Sequence, residues 1–288
     1  MKKAIATLTI GEKYENLFNN YCKINWEKYS EKFNYDLIVI NKNLDDSKRS
    51  RERSPAWQKL LILSQEWSKN YDQIVWVDSD VLINYKLAKD ISKIVEIENL
   101  GAVDAYSIPS KEIYQLSLKR TYDNWKRNGI QYIHNLKPEE YYQKRGINGF
   151  DIDAVVQTGV FVSSCEHHRK IFEHIYYSYE DNNKSAAWNY EMPAMSYELI
   201  KANLVQWIPI EYNYNVYDII SAYYSFIFFK KEFLLKNLYN KLIKKINLNN
   251  HVSSLSSLEI KCLNQIYNNG YFIHFAGCQN WMSSIKFK

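Results

Sequence analysis

The first eighty residues restrict the fold more than any other part of the chain. Three short apolar runs, at 3–10, 35–40 and 73–83, are separated by two stretches with helical periodicity. Short runs rich in Val, Ile and aromatic residues read as strands. Between the first two, residues 12–33 place Leu17, Tyr21 and Ile24 on one face of a predicted helix. After a polar, basic loop over 41–53, Ser54-Pro55 forms a helix start, with Ser as cap and Pro in the first turn. The predicted helix covers 56–69 and turns Trp57, Leu60, Leu61, Leu63 and Trp67 inward. A β-α-β-α-β order calls for a mixed, mostly parallel sheet with helices on both faces. Ligands in such sheets bind beyond the carboxyl ends of the strands.

Downstream the pattern predicts a helix near 87–97 and a strand near 101–108. Residues 110–150, rich in Tyr, Lys and Asn, read as an inserted helix and loops over the active face. A strand over 154–164 is interrupted at Gln157-Thr158-Gly159, where a glycine suggests close backbone approach. Helices at 166–179 and 190–201, a strand at 205–210 and a short strand over 270–277 complete the reading. No internal repeat is visible.

With 46% apolar and 24% charged residues in 288, the chain is globular and long enough for a sizeable core. We expect a catalytic unit over 1–215, a helical appendage over 216–262 and a segment over 263–288 that returns to the site. Cys22, Cys165, Cys262 and Cys278 are scattered, which argues against zinc or a disulfide framework and fits a reducing compartment. The apolar run after Met1-Lys2-Lys3 is too short for a leader and reads as the first strand. No stretch is apolar enough to span a membrane. The net charge of +5 resides in one segment, since residues 221–250 hold six Lys and one Glu. There, 223–246 reads as a basic amphipathic helix suited to an anionic membrane surface, or to packing on the domain or on a second subunit in a homodimer. The remaining chain is charge-neutral, which excludes nucleic acid as a partner.

The chemistry centres on Asp78-Ser79-Asp80. In an extended chain, residues i and i+2 project to one face, so the two carboxylates can approach one cation together. Hard oxygen ligands suit Mg²⁺ or Mn²⁺. An acidic turn after a core strand is the alternative explanation. Lys59, after the Pro-started helix, is placed either to bind a diphosphate or to be a surface lysine.

Five motifs occur in order: Trp57-Gln58-Lys59, Val77-Asp78-Ser79-Asp80-Val81-Leu82-Ile83, Gln157-Thr158-Gly159-Val160-Phe161-Val162, Glu191-Met192-Pro193-Ala194-Met195-Ser196 and His274-Phe275-Ala276-Gly277-Cys278. Together they resemble nucleotide-sugar glycosyltransferases of the GT-A (Rossmann-like) fold. The galactosyl/mannosyl/xylosyltransferase group is most similar, and the glycogenin-like group second. The resemblance spans roughly 3–211 and 270–281. It departs at Gln157, where many relatives have Asn, and in the lack of a Golgi-type anchor, which suggests a bacterial-type enzyme in the cytoplasm or at the inner face of the plasma membrane.

The resemblance implies a retaining transfer of a hexose from a UDP- or GDP-sugar to a glycan or glycolipid acceptor of a bacterial surface polysaccharide or lipooligosaccharide, with Mn²⁺ or Mg²⁺ as cofactor. It implies Asp80 as direct metal ligand, Asp78 as shared between metal and ribose, and His274 as third ligand, a hydrogen-bonded core histidine being the alternative. Thr7, Leu8, Thr9, Tyr14 and Ser79 would bind the nucleotide part of the donor. Asp153, Gln157 and Glu191 are the candidates beside the reacting sugar, where a carboxylate or amide acts as a nucleophile or only electrostatically. Trp188 and Trp281 are candidates for stacking on acceptor sugars, or for packing. Competing readings are a phosphohydrolase using Asp78 as nucleophile and a non-catalytic glycan-binding domain on the same fold.

Overall fold

A computed structural model describes residues 1–128, 137–148, 151–179, 190–228 and 255–286. Nine strands occur among them: β1 Lys3–Leu8, β2 Tyr35–Ile40, β3 Gln73–Val77, β4 Val81–Ile83, β5 Leu100–Asp104, β6 Val156–Ser163, β7 Val205–Trp207, β8 Tyr214–Asn215 and β9 Phe272–His274. Six form the central sheet in the order β2-β1-β3-β6-β5-β7, and three form a small sheet in the order β4-β9-β8. In the central sheet β1 is parallel to β2 and β3, and β5 to β7, while β6 runs against both its neighbours. This is the mixed, mostly parallel α/β architecture expected from the strand–helix alternation.

Both faces of the central sheet are covered, so its strands alternate between two cores. Ile5, Val75, Val77, Val160 and Val162 face one core, which also takes in Phe18, Trp26 and Tyr29 of the first helical run and the whole small sheet. Ala6, Ile74, Trp76 and Phe161 face the other, packed by Trp57–Leu63 and the helices Cys165–Ser178 and Met192–Lys201. A third cluster, rich in tyrosine, joins Tyr106, Tyr114, Tyr141 and Tyr142 near the end of β5. It includes the helices Lys111–Asn128 and Pro138–Gln143 of the inserted region. All four cysteines are buried and free.

Three expected elements differ from the structure. The run 73–83 is two strands in different sheets, broken by a turn in which the Val81 N–H donates to Asp78 O at 3.1 Å. The segment over 56–69 forms 3₁₀ helices, Pro55–Ser64 and Glu66–Asn70, instead of an α-helix. Every residue from Trp57 to Leu63 is buried. Gln58 bonds to Asn43 and Ser50 on one side, while Lys59 points to Asp78, so no polar stripe is left for solvent. The expected helix over 87–97 is only the 3₁₀ turn Ile91–Ile94. There the Tyr29 hydroxyl donates to Lys89 O and accepts from the Ile91 N–H, and these long-range bonds take backbone groups a helix would need. The expected helix over 223–246 lies largely outside the described residues. Its first residues end the helix Val216–Tyr223 and form a 3₁₀ turn, Ser225–Phe228. Among the described residues no helix is long and apolar enough to cross a membrane.

Asp90 ties β1 and β2 together below the sheet. Its carboxylate accepts from the Lys3 ammonium at 2.7 Å, the Tyr35 hydroxyl and the Ser92 hydroxyl. Burial would raise the Asp90 carboxyl, but these bonds outweigh it and hold it below the usual range. Asp90→Ala leaves the buried Lys3 ammonium unpaired and is expected to cost about 3–5 kcal/mol, read from the urea midpoint. Because the folded-state value is depressed, the Asp90 contribution is full above the unfolded carboxyl's value and is lost as pH falls through the folded one. His168 adds to this acid sensitivity. Burial lowers it to about 4, so stability also declines as pH falls from the ordinary histidine value towards that point.

Candidate active site

The Asp78-Ser79-Asp80 turn is clamped by backbone bonds from four directions. The Asp78 N–H donates to Gly159 O at 2.8 Å, and the Phe275 N–H donates to Asp80 O at 3.0 Å. The helical run from Glu12 to Phe33 contains a wide π-turn at Phe18–Cys22 that brings the Cys22 thiol to Ser79 O at 3.3 Å. One turn on, the Trp26 indole N–H donates to Val81 O at 2.9 Å. Since β6 is antiparallel to β3, with Val77 opposite Val160, its first residues lie at the edge where β3 ends. Gln157, Thr158 and Gly159 therefore meet Asp78 at the carboxyl end of the parallel strands.

Asp78, Asp80 and His274 offer ligand atoms that all lie within 4.8 Å of one another. His274 is delivered by β9, which pairs with β4 so that His274 stands opposite Val81, and with β8 so that it stands opposite Asn215. The His274 Nε2 is 3.3 Å from Asp80 Oδ1, and Gln279 Nε2 donates to Asp80 Oδ2 at 2.8 Å. Burial would raise the Asp80 carboxyl, yet His274 and Gln279 hold it below its ordinary value. Burial would lower His274, and Asp80 raises it instead. Burial pushes Asp78 up, opposed by Lys59 and His274. Two carboxylates and an imidazole nitrogen converging in this way suit a divalent cation such as Mn²⁺ or Mg²⁺, with open positions left for substrate oxygens.

Lys59 is not a surface lysine. Its side chain is 3% exposed, and its ammonium lies 3.0 Å from Asp78 Oδ1, 3.0 Å from Glu191 Oε1 and 3.1 Å from Thr158 O. Burial would lower it, but the two carboxylates outweigh that and hold it above the ordinary lysine range. Glu191, just before the helix Met192–Lys201, also accepts from the Thr158 hydroxyl at 2.8 Å, while its Oε2 is buried without a hydrogen-bond partner. Asp78 Oδ1 further accepts from the Trp76 indole N–H at 2.7 Å.

Gly159 is required by the histidine. A Cβ at Gly159 would stand 2.3 Å from His274 Cε1 and 2.6 Å from Nδ1. The ring is tied at Nδ1 to Asn213 and faces Asp80 across 3.3 Å at Nε2, so it has little room to swing aside. Gly159→Ala is expected to weaken metal binding by ~10-fold or more, as other changes that misorient a ligating histidine do, with a far smaller effect on the unfolding midpoint. Mn²⁺ titration beside a melt checks it.

The remaining candidates are placed as follows. Thr7 is fully buried, and its hydroxyl has no partner. Leu8 ends β1 half-buried, and the Thr9 N–H donates to Ile40 O. Tyr14 is exposed on the helix after Gly11, with the Lys13 ammonium over its ring. Ser79 is buried in the turn, and Gln157 Oε1 accepts from the Gly159 N–H. Asp153 is not drawn into the cluster, since its carboxylate is open to solvent and pairs with Lys111. Trp281 is half-buried and packs on the larger core. Trp188 lies outside the described residues.

Three neighbours of His274 and Asp80 were not singled out from the sequence. Asn213 bonds the imidazole, Gln279 bonds Asp80, and Asp218 is close enough for His274 to act on its charge. Burial raises the Asp218 carboxyl to about 7. The only local signal was the polar–aromatic alternation Tyr212-Asn213-Tyr214-Asn215 before an apolar helix.

No family model matches the chain, and no curated protein sequence matches it. Similar solved structures include a glycosyltransferase involved in glycosylation of the major capsid of PBCV-1, at 12% identity and TM-score 0.48, covering 98% of this chain and 100% of that one. The galactosyltransferase LgtC, in complex with donor and acceptor sugar analogues, is similar at 11% identity and TM-score 0.45, over 75% of this chain and 78% of that one. Core-mannan synthase A from Aspergillus fumigatus, in a Mn/GDP form, is similar at 14% identity and TM-score 0.43, over 72% of this chain and 73% of that one.

Proposed function

We propose that the chain is a metal-dependent GT-A glycosyltransferase that moves a hexose from a nucleoside-diphosphate sugar to a glycan or glycolipid acceptor. The observation that carries this reading is the meeting of Asp78, Asp80 and His274 at the carboxyl edge of the sheet, beside the end of the parallel strand β1. Asp80 and His274 would hold Mn²⁺ or Mg²⁺ directly, with Asp78 shared between the ion and the donor. An imidazole in the set favours Mn²⁺. Bound there, the ion supplies charge neutralisation for a nucleoside-diphosphate leaving group.

The chain's own groups do the rest. The partnerless Thr7 hydroxyl at the end of β1, with Thr9, Leu8 and Ser79, supports binding of the nucleoside, and the exposed Tyr14 ring is free to cover the base. Lys59 already has Asp78, Glu191 and Thr158 as partners, so its role is to fix the two carboxylates rather than to grip the diphosphate. Glu191 is enclosed and ion-paired, which supports an electrostatic role beneath the reacting sugar over a nucleophilic one. Gln157 is the other group at that point. We read the transfer as retaining, with the acceptor a bacterial surface polysaccharide or lipooligosaccharide, and the basic segment 223–246 as the contact with the inner membrane face or a second subunit. No turn chemistry explains the convergence of His274 on the acidic pair, which disfavours the acidic-turn alternative.

Incubation with a panel of UDP- and GDP-hexoses and Mn²⁺, with and without chelator, tests the reading. Release of nucleoside diphosphate that stops on chelation is the expected result. Release of inorganic phosphate from phosphomonoesters would point to the phosphohydrolase. Glycan binding with no turnover of any donor would point to the binding domain.

A further inference from the structure

Asn213 is completely buried in the 3₁₀ turn Ile210–Asn213 that leads into β8. Its two amide atoms face two different groups. Nδ2 lies 3.3 Å from the backbone carbonyl of Gln157, and Oδ1 lies 2.9 Å from His274 Nδ1. The first contact decides the second. A backbone carbonyl only accepts hydrogen bonds, so the NH₂ end of Asn213 must face Gln157 and the carbonyl end must face the imidazole. An amide oxygen is also only an acceptor, so His274 Nδ1 must carry a proton. In the neutral ring Nε2 is then bare, and Nε2 is the nitrogen 3.3 Å from Asp80 Oδ1.

We propose that Asn213 is the positioning residue that sets the tautomer of His274, leaving Nε2 as the electron-pair donor directed at Asp78 and Asp80. A bare nitrogen set against a carboxylate oxygen repels it unless a cation or a proton lies between them. The tautomer is thus held in the form that needs a cation, by a bond anchored on the backbone of β6. Gly159, two residues from the anchoring carbonyl, lets the ring approach close enough to take this bond. The use of Nε2 by a metal rests on the proposed function, whereas the tautomer does not.

The two can be separated. In metal-free protein at pH 9, long-range proton–nitrogen correlation on histidine-labelled material, with His274 assigned through His274→Gln, is expected to show protonated Nδ1 and bare Nε2. Asn213→Leu, which keeps the shape and removes the acceptor, is expected to lose this preference and to bind Mn²⁺ roughly 10- to 100-fold more weakly. Asn213→Asp keeps an acceptor towards His274 and, with its second oxygen protonated, a donor towards the Gln157 carbonyl; in that form it is expected to retain the tautomer and bind Mn²⁺ within a few fold of the parent. A parent protein with its proton on Nε2 overturns the proposal without recourse to any variant. So does an Asn213→Leu protein whose folded spectrum keeps the parent tautomer. A parent protein with protonated Nδ1 that binds no Mn²⁺ upholds the role of Asn213 and removes the metal reading instead.

Discussion

Asp80→Asn is expected to lower metal-dependent release of nucleoside diphosphate by ~10²–10³-fold, the loss typical of removing one group that stabilises developing charge. The substitution is close to isosteric. Its amide oxygen can still accept from Gln279 Nε2, so the turn should keep its shape. What disappears is the negative charge that faces His274 across 3.3 Å. Binding and folding can be read in one experiment. The parent should gain about 2.7 kcal/mol of stability when Mn²⁺ is supplied at a hundred times its dissociation constant. Asp80→Asn should show almost none of this gain at the same concentration, while its metal-free melt stays near that of the parent. A variant that melts like the parent with and without Mn²⁺ would remove Asp80 from the site.

Lys59→Met is expected to destabilise the fold by about 3–5 kcal/mol, because it leaves the buried Glu191 carboxylate, with the partly exposed Asp78 beside it, without the cation between them. The methionine fills much the same space, so the loss is electrostatic and should show in the urea midpoint. Adding Glu191→Gln removes one stranded charge, and the double variant is expected to be more stable than Lys59→Met alone. That sign of non-additivity is characteristic of groups sharing one ion-pair network. Simple addition of the two single effects would mean that Lys59 acts through packing alone. Activity separates further. Glu191→Gln by itself should lose transfer while still binding donor, measured as nucleotide-sugar affinity against turnover.

The parallel half of the sheet was legible in the alternation of strand and helix over the first eighty residues, and with it the edge where Asp78 and Asp80 lie. The convergence of Glu191, Gln157 and His274 on that edge followed from a resemblance of ordered motifs, not from hydropathy. The reversed direction of β6 left no mark in the apolar pattern, because a strand buried on both faces reads the same either way. Nor did the 3₁₀ form of Pro55–Ser64, whose apolar residues fit an α-helical face until the partners of Gln58 and Lys59 are known. Asn213 is a neutral amide 61 positions from the ring it orients, and nothing local distinguishes it from any other loop asparagine. Asp153 had a carboxylate in the right neighbourhood of the sequence, but its side chain turns to solvent and Lys111.

The pairing of β9 with β4 has a consequence for the timing of synthesis. Asp80 and the Gln279 amide that bonds it are 199 positions apart. At a ribosomal rate of ~5–20 residues per second, the acidic turn waits on the order of 10–40 s for its histidine and amide to be made. Throughout that interval Asp78 can pair with Lys59, whereas Asp80 lacks both of its side-chain partners. A product cut short before residue 274 therefore lacks one of the three groups that meet at the acidic turn, and is expected to bind Mn²⁺ poorly there however well the eight strands before β9 have formed.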